Sequence, residues 1–173
     1  EDRTLVLPSR LPAGGIANMA VMLRGLEHPG GRLEIGMFST PGGAPYLFVP
    51  RPGGQMKFHI EYHPAGRLYW MASSQTTDSM TRPELLPPER YNLPDNERHR
   101  LVLHFSRNLV DWCFAGVIAI GNSPKESRHY AGMTIDGDDL LVLSRSGDAQ
   151  ARSAHNGNLI TLHRISGFRG LAY

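Results

Sequence analysis

Glycine and proline punctuate this chain at short intervals, and no long stretch of helical period lies between them. The 19 glycines and 13 prolines are spread over all 173 residues, and these two residue types are the strongest local punctuation a sequence carries. Between them lie short apolar or alternating runs, the period-two pattern of strands with one face buried. The runs predict strands at 4–7, 17–24, 32–38, 46–49, 57–62, 68–73, 100–105, 113–120, 129–135, 140–144 and 159–164. Only residues 15–26 carry a trace of helical period, and Pro29-Gly30-Gly31 ends that stretch. Short strands at such spacing belong to an all-β sandwich, barrel or propeller.

The turns narrow the choice. His63-Pro64-Ala65-Gly66 and Asp136-Gly137-Asp138-Asp139 each join two runs that read as a hairpin, and Asp-Gly supplies the positive φ that tight hairpins favour. Each hairpin is followed by a polar loop and another apolar strand, Leu101-Val102-Leu103-His104-Phe105 in one case and Leu159-Ile160-Thr161-Leu162-His163 in the other. The result is a weak internal repeat of about 70 residues, and a repeating hairpin–loop–strand unit is the mark of propeller blades. His104 and His163 fall at matching places in the two units, which predicts a structural role for both. The three aspartates 136, 138 and 139 lack the glycine spacing and distal glutamate of a calcium loop, so the hairpin turn is the expected reading.

Composition excludes several function classes. The formal net charge is +2, with 40% hydrophobic and 20% charged residues, an ordinary globular balance for one domain. No block of Lys or Arg points to nucleic acid or to an anionic membrane. No apolar run reaches the length of a spanning helix. Arg greatly outnumbers Lys, and a planar guanidinium suits carboxylate or sulfate recognition. Cys113 is the single cysteine, so no intrachain disulfide forms, and its place beside Trp112 predicts a core position. Glu1-Asp2-Arg3 is no signal peptide. The start without Met suggests an end made by processing, cloning or proteolysis.

Ser106-Arg107-Asn108-Leu109-Val110-Asp111-Trp112 resembles the turn between the third and fourth blade strands of five-bladed glycosidase propellers. It also resembles the Asp-box turn of sialidase propellers, without the glycines of that box. Its polar side chains are expected to cap their own turn and its Trp to pack into the blade. Ser166-Gly167-Phe168-Arg169-Gly170-Leu171 sits at the corresponding point of the second unit. The stretches 53–82 and 127–162 are similar to the bacterial sialidase-like and glycosyl-hydrolase-like β-propeller family, five- or six-bladed. The telling pieces are Gly53-Gly54-Gln55-Met56-Lys57-Phe58-His59-Ile60-Glu61-Tyr62, Asp78-Ser79-Met80-Thr81-Arg82-Pro83-Glu84, Ser127-Arg128-His129-Tyr130 and Ser153-Ala154-His155-Asn156-Gly157-Asn158. The likeness covers most of residues 45–171.

The resemblance implies an all-β chain of propeller blades, each of four antiparallel strands, forming an incomplete ring. Residues 1–52 would hold N-terminal strands, 53–122 one blade, and 123–173 one blade lacking its last strand. The missing blades would come from a longer parent chain, a second chain or a homodimer; alternatively the strand at 4–7 would close the last blade. A secreted or periplasmic location and a carbohydrate substrate, an anionic sugar included, follow from the same likeness.

In a propeller the first strand of each unit lines the central channel. That places His59 and Glu61, two apart and on one face, with Arg128 and Tyr130 from the second unit, or His129 on its other face, and Asn18 from the first. Loop candidates are Asp78, Arg82 and Glu84, then Asp148, Arg152, His155 and Asn156. Glycoside hydrolysis uses two carboxyls flanking the scissile bond, one with a raised pKa, so Glu61 and Asp78 are the expected catalytic pair. His59, Arg82, Arg128, His129, Tyr130, His155 and Asn156 are the expected substrate-binding set, with Arg145 a further candidate to grip a sugar carboxylate. No cofactor is expected. A metal set of His59, His129 and His155 with Glu61 is the weaker alternative, and a non-catalytic module binding glycan or protein is another.

Overall fold

A computed structural model of the chain describes residues 3–10, 19–45, 49–52, 57–78, 82–88 and 97–173. Among these the architecture is all-β. Eleven strands form three antiparallel sheets, none closed on itself, with short 3₁₀ turns at Pro83–Leu85 and Phe168–Leu171. Every run expected from the alternation overlaps a strand, including β2, where the trace of helical period lay. Asn18 and residues 53–56 and 79–81 lie outside the described residues.

The first sheet holds β1 (Arg3–Arg10), β2 (Met19–Glu27) and β3 (Leu33–Met37), with β4 (Val49–Pro50) pairing the start of β2. The central sheet is the meander β5 (His59–His63), β6 (Leu68–Ser74), β7 (Arg100–Ser106) and β8 (Cys113–Ile120). The third is the meander β9 (Arg128–Asp136), β10 (Asp139–Ser146) and β11 (Leu159–Ser166). The strand at 3–10 pairs with β2 over its whole length. It therefore does not close the third sheet, whose outer strand β11 has no further partner among the described residues.

Register decides which side chains meet. Glu61, Trp70, Phe105 and Cys113 stand opposite one another across β5 to β8, and directly paired residues share a face. That face carries Leu68, Trp70, Ala72, Leu101, Leu103 and Phe105 onto Met133, Leu140 and Val142 of the third sheet. Phe168 closes the same core from the last 3₁₀ turn, its ring 5.0 Å from that of Trp70. The hairpin between β9 and β10 turns at Gly137 with φ 57, the left-handed conformation glycine adopts without penalty. Arg169 donates to Asp138 and to the Gly137 carbonyl, which ties the last turn to this hairpin.

The opposite face of the central sheet packs on the first sheet. Ala20, Met22 and Val49 meet Leu109, with Ile60, Tyr69 and Trp112 around them. The Ser106–Trp112 turn caps itself as its side chains predict. Ser106 Oγ accepts from the Leu109 amide at 2.9 Å, and Asn108 Oδ1 accepts from the Val110 and Asp111 amides at 2.9 and 2.8 Å. Trp112 departs from expectation in one respect: its ring fills the seam toward the first sheet, not the interior of its own.

Candidate functional site

The ends of β6, β8 and β10 and the starts of β5, β7, β9 and β11 lie together, as the pairs His59 with Ala72, Arg100 with Ile120 and Ser146 with Leu159 require. Residues 75–78 and 97–99 converge there with the loops 121–127 and 147–158. A backbone hydrogen bond stitches the central and third sheets at this end, the Arg128 amide donating to the Arg98 carbonyl at 2.7 Å, while the Gly121 amide extends the β7–β8 pairing by donating to the His99 carbonyl at 2.8 Å.

Glycines make the close approach possible. A Cβ at Gly121 would run into the Glu126 carbonyl oxygen, and one at Gly157 into that of Ser146. Both obstacles are backbone and cannot swing aside. Gly121→Ala should therefore destabilise the protein by about 1–3 kcal/mol, as overpacking does. Thermal melting checks this, and an unchanged melting temperature would contradict the loop packing.

Beneath the loops lies a buried polar layer. Glu97 is 1% exposed and Arg98 wholly buried. The Glu97 carboxylate accepts from the Thr77 hydroxyl at 2.7 Å and from the Thr77 and Asp78 amides, each at 3.1 Å. It thereby holds the strand-exit loop against the entry of β7. Arg98 Nη1 donates to His129 Nδ1 at 2.8 Å. Arginine has no acceptor, so this bond makes Nδ1 the acceptor and leaves the proton of a neutral His129 on Nε2. Burial pushes the His129 pKa down to about 3, with Arg98, Arg145 and His155 adding to the shift. The ring is thus a fully buried neutral imidazole, and its Nε2 has no hydrogen-bond partner among the described residues.

Tyr130 stands over this layer. Its φ is 52, uncommon for a residue with a side chain. It falls where the β9–β10 register shifts between Leu143 and Arg145, and such a bulge re-aims a side chain. Around its ring gather His129 at 4.3 Å and His155 at 6.3 Å between centroids, with Lys57 Nζ and the Arg98 guanidinium 5.1 and 5.2 Å from its centroid. The ring is partly buried, and a tyrosine so placed offers an apolar face together with a hydroxyl that can donate a hydrogen bond.

Of the residues singled out in the sequence, His129, Tyr130 and His155 come together in this cluster. His59 and Glu61 share a face and approach at 3.5 Å, each side chain a little over one-third exposed. Asp78 accepts from Arg82 at 2.6 Å and belongs to the Glu97 network. Arg128 donates to the Ser127 and Gly147 carbonyls, both at 2.7 Å, and Asn156 donates to Ser153 Oγ. Those two residues close loops. No group of three or more His, Cys, Asp or Glu among the described residues is placed to hold a metal ion, so His59, His129, His155 and Glu61 do not assemble as a metal centre.

Set against known proteins, the sequence matches no family model and no curated protein. Three cluster members were not singled out from the sequence: Lys57, Glu97 and Arg98. The signal for the last two was a charged pair set directly before an apolar strand, where buried charge must find partners.

Proposed function

We propose that the three sheets are successive blades of a β-propeller and that the Tyr130 end is a carbohydrate-binding face. The first part is supported by consecutive antiparallel sheets packed face to face and by apolar side chains left exposed at both ends of the stack. Leu33, Ile35 and Met37 are exposed on the first sheet, and Leu143, Ile160 and Leu162 on the third. Patches of this kind ask for cover. Further blades from a longer parent chain, a second chain or a second copy would supply it, and intact mass with sedimentation distinguishes these sources.

The observation that carries the binding reading is the Tyr130 cluster: an aromatic platform bordered by Lys57, Arg98, His129 and His155. Lys57, the exposed cation at its edge, favours acidic over neutral sugars. Hydrolysis is the second reading, favoured by Glu61, a partly exposed carboxylate beside His59. Asp78, the other expected carboxylate, is engaged by Arg82 and Thr77, which makes binding the stronger reading.

Titration calorimetry against neutral and uronate oligosaccharides tests both. Tyr130→Gly removes the ring while suiting the positive φ, and it should weaken binding by about tenfold or more, the scale of one stacking contact. Equal affinity in that variant, or no binding by any oligosaccharide, would remove the proposal. Glu61→Gln should leave binding intact. If the wild type releases reducing sugar and Glu61→Gln does not, the hydrolytic reading prevails.

A further inference from the structure

The loop between β10 and β11 holds the only Asn-Gly pair of the chain, Asn156-Gly157; every other asparagine is followed by Leu, Ser, Met or Glu. Packing requires the glycine. A Cβ at position 157 would run into the Ser146 carbonyl oxygen and come within 3.3 Å of the Gly147 nitrogen. The loop therefore closes onto the end of β10 only with glycine there.

That requirement has a chemical consequence. Asparagine is a labile residue, and its short side chain reaches its own main chain. A side chain on the following residue shields the next amide nitrogen from it, and glycine has none. Asn156 is exposed. Its side-chain amide is held at one end only, where Nδ2 donates to Ser153 Oγ at 3.4 Å. The Gly157 amide donates no hydrogen bond to any described residue. The other described asparagines are tied down. Asn108 Oδ1 accepts from the Val110 and Asp111 amides. Asn122 Nδ2 donates to Glu126 at 3.1 Å. Asn158 bonds Asp148 through both ends of its amide, at 2.9 and 3.2 Å.

We propose that Asn156 is a site of spontaneous deamidation through a succinimide. The Gly157 nitrogen loses its proton and bonds to Asn156 Cγ, closing a five-membered ring. The Cγ–Nδ2 bond breaks, and ammonia leaves with that proton, beside the Ser153 hydroxyl. Water then adds to one of the two imide carbonyls and opens the ring to aspartate or to isoaspartate. The sum is amide plus water giving carboxylic acid plus ammonia, so the step needs no other reactant.

The two products act differently on the loop. Aspartate keeps the main chain and places a negative charge next to His155. Isoaspartate runs the main chain through Cβ and makes it one atom longer just before Gly157, where packing leaves no room. Isoaspartate should therefore loosen the loop from the end of β10. None of this depends on the carbohydrate reading, because mass and melting report it without a sugar.

Ageing the purified chain for several weeks at mildly alkaline pH tests the proposal. The tryptic peptide Ser153–Arg164 should gain one mass unit and separate into two chromatographic forms. Fragmentation should place the change at Asn156 and not at Asn158, and the peptides that carry Asn108 and Asn122 should stay as they were. The isoaspartate fraction should melt a few degrees below fresh protein, whereas Asn156→Asp, with its main chain intact, should melt with the fresh wild type. Asn156→Gln should age without change in this peptide. An unaltered Ser153–Arg164 peptide would overturn the proposal. So would aspartate without isoaspartate, which means direct hydrolysis, or a change centred on Asn158. Aged protein that melts like fresh protein despite its isoaspartate would overturn the effect on the loop.

Discussion

Trp70→Ala is expected to destabilise the protein by about 3–5 kcal/mol, the range for removing a large aromatic from a packed core. Trp70 is 1% exposed and belongs to both sides of a seam. It stands opposite Phe105 and Glu61 in the central sheet, its ring 5.7 Å from that of Phe105. It also meets Phe168 edge-on at 5.0 Å, in the turn that closes the third sheet. The void left behind would be walled by two sheets that cannot both relax into it. A loss of this size is a large share of the roughly 5–15 kcal/mol that a domain has in total. Urea unfolding at neutral pH measures it as a lower midpoint with an unchanged slope. A loss below about 1 kcal/mol would mean that the central and third sheets do not share one core.

Acid should unfold the protein well before its carboxylates are protonated. His104 and His129 are buried, and burial holds their pKa values at about 4 and about 3, against 6.5 for a free imidazole. Both are therefore neutral in the folded chain and become protonated more readily when it unfolds. Between pH 6.5 and about 4 the unfolded state binds more protons, so stability falls as pH drops through this window. Above pH 6.5 the full contribution is present; below the folded-state values no more is lost. Each histidine contributes up to about 1.4 kcal/mol per pH unit, which is about 2 kcal/mol apiece at pH 5. Urea melts at pH 7 and pH 5 test this, with His104→Phe as the control. His104 already lies edge-on to Phe114, and the variant should remove about half of the acid sensitivity. An undiminished pH dependence would assign it to other groups.

Much of the fold was legible in the sequence because strand formation is written locally. Alternation, β-branched and aromatic content and Gly or Pro punctuation placed each strand within a few residues, and Gly137 turned the second hairpin as Asp-Gly predicts. The Ser106–Trp112 turn was legible for the same reason, since Ser106 and Asn108 bond amides no more than three residues away. The site was legible only where it follows strand order. His129, Tyr130 and His155 come together at the start of β9 and in the loop after β10. Asp78 pairs with Arg82 instead of facing Glu61, because an i,i+4 partner is always at hand, whereas a partner across a sheet depends on how the loop lies. Glu97 and Arg98 went unnoticed because a charge in a polar loop looks solvated until packing covers it.

The sequence by itself determined an all-β chain, its strands, its turns and the meander order of its two later sheets. Each of these depends on side-chain alternation and on φ preferences within a few residues. Tertiary structure alone decided that Trp112 fills the seam toward the first sheet, that Arg98 reaches His129 at 2.8 Å across two sheets, and that Arg51 is buried between two aromatic rings. Those outcomes depend on which sheet face meets which, and burial is a property of the assembled layers. Where the layers cover a charge, desolvation gives it a meaning that its neighbours in the chain do not carry.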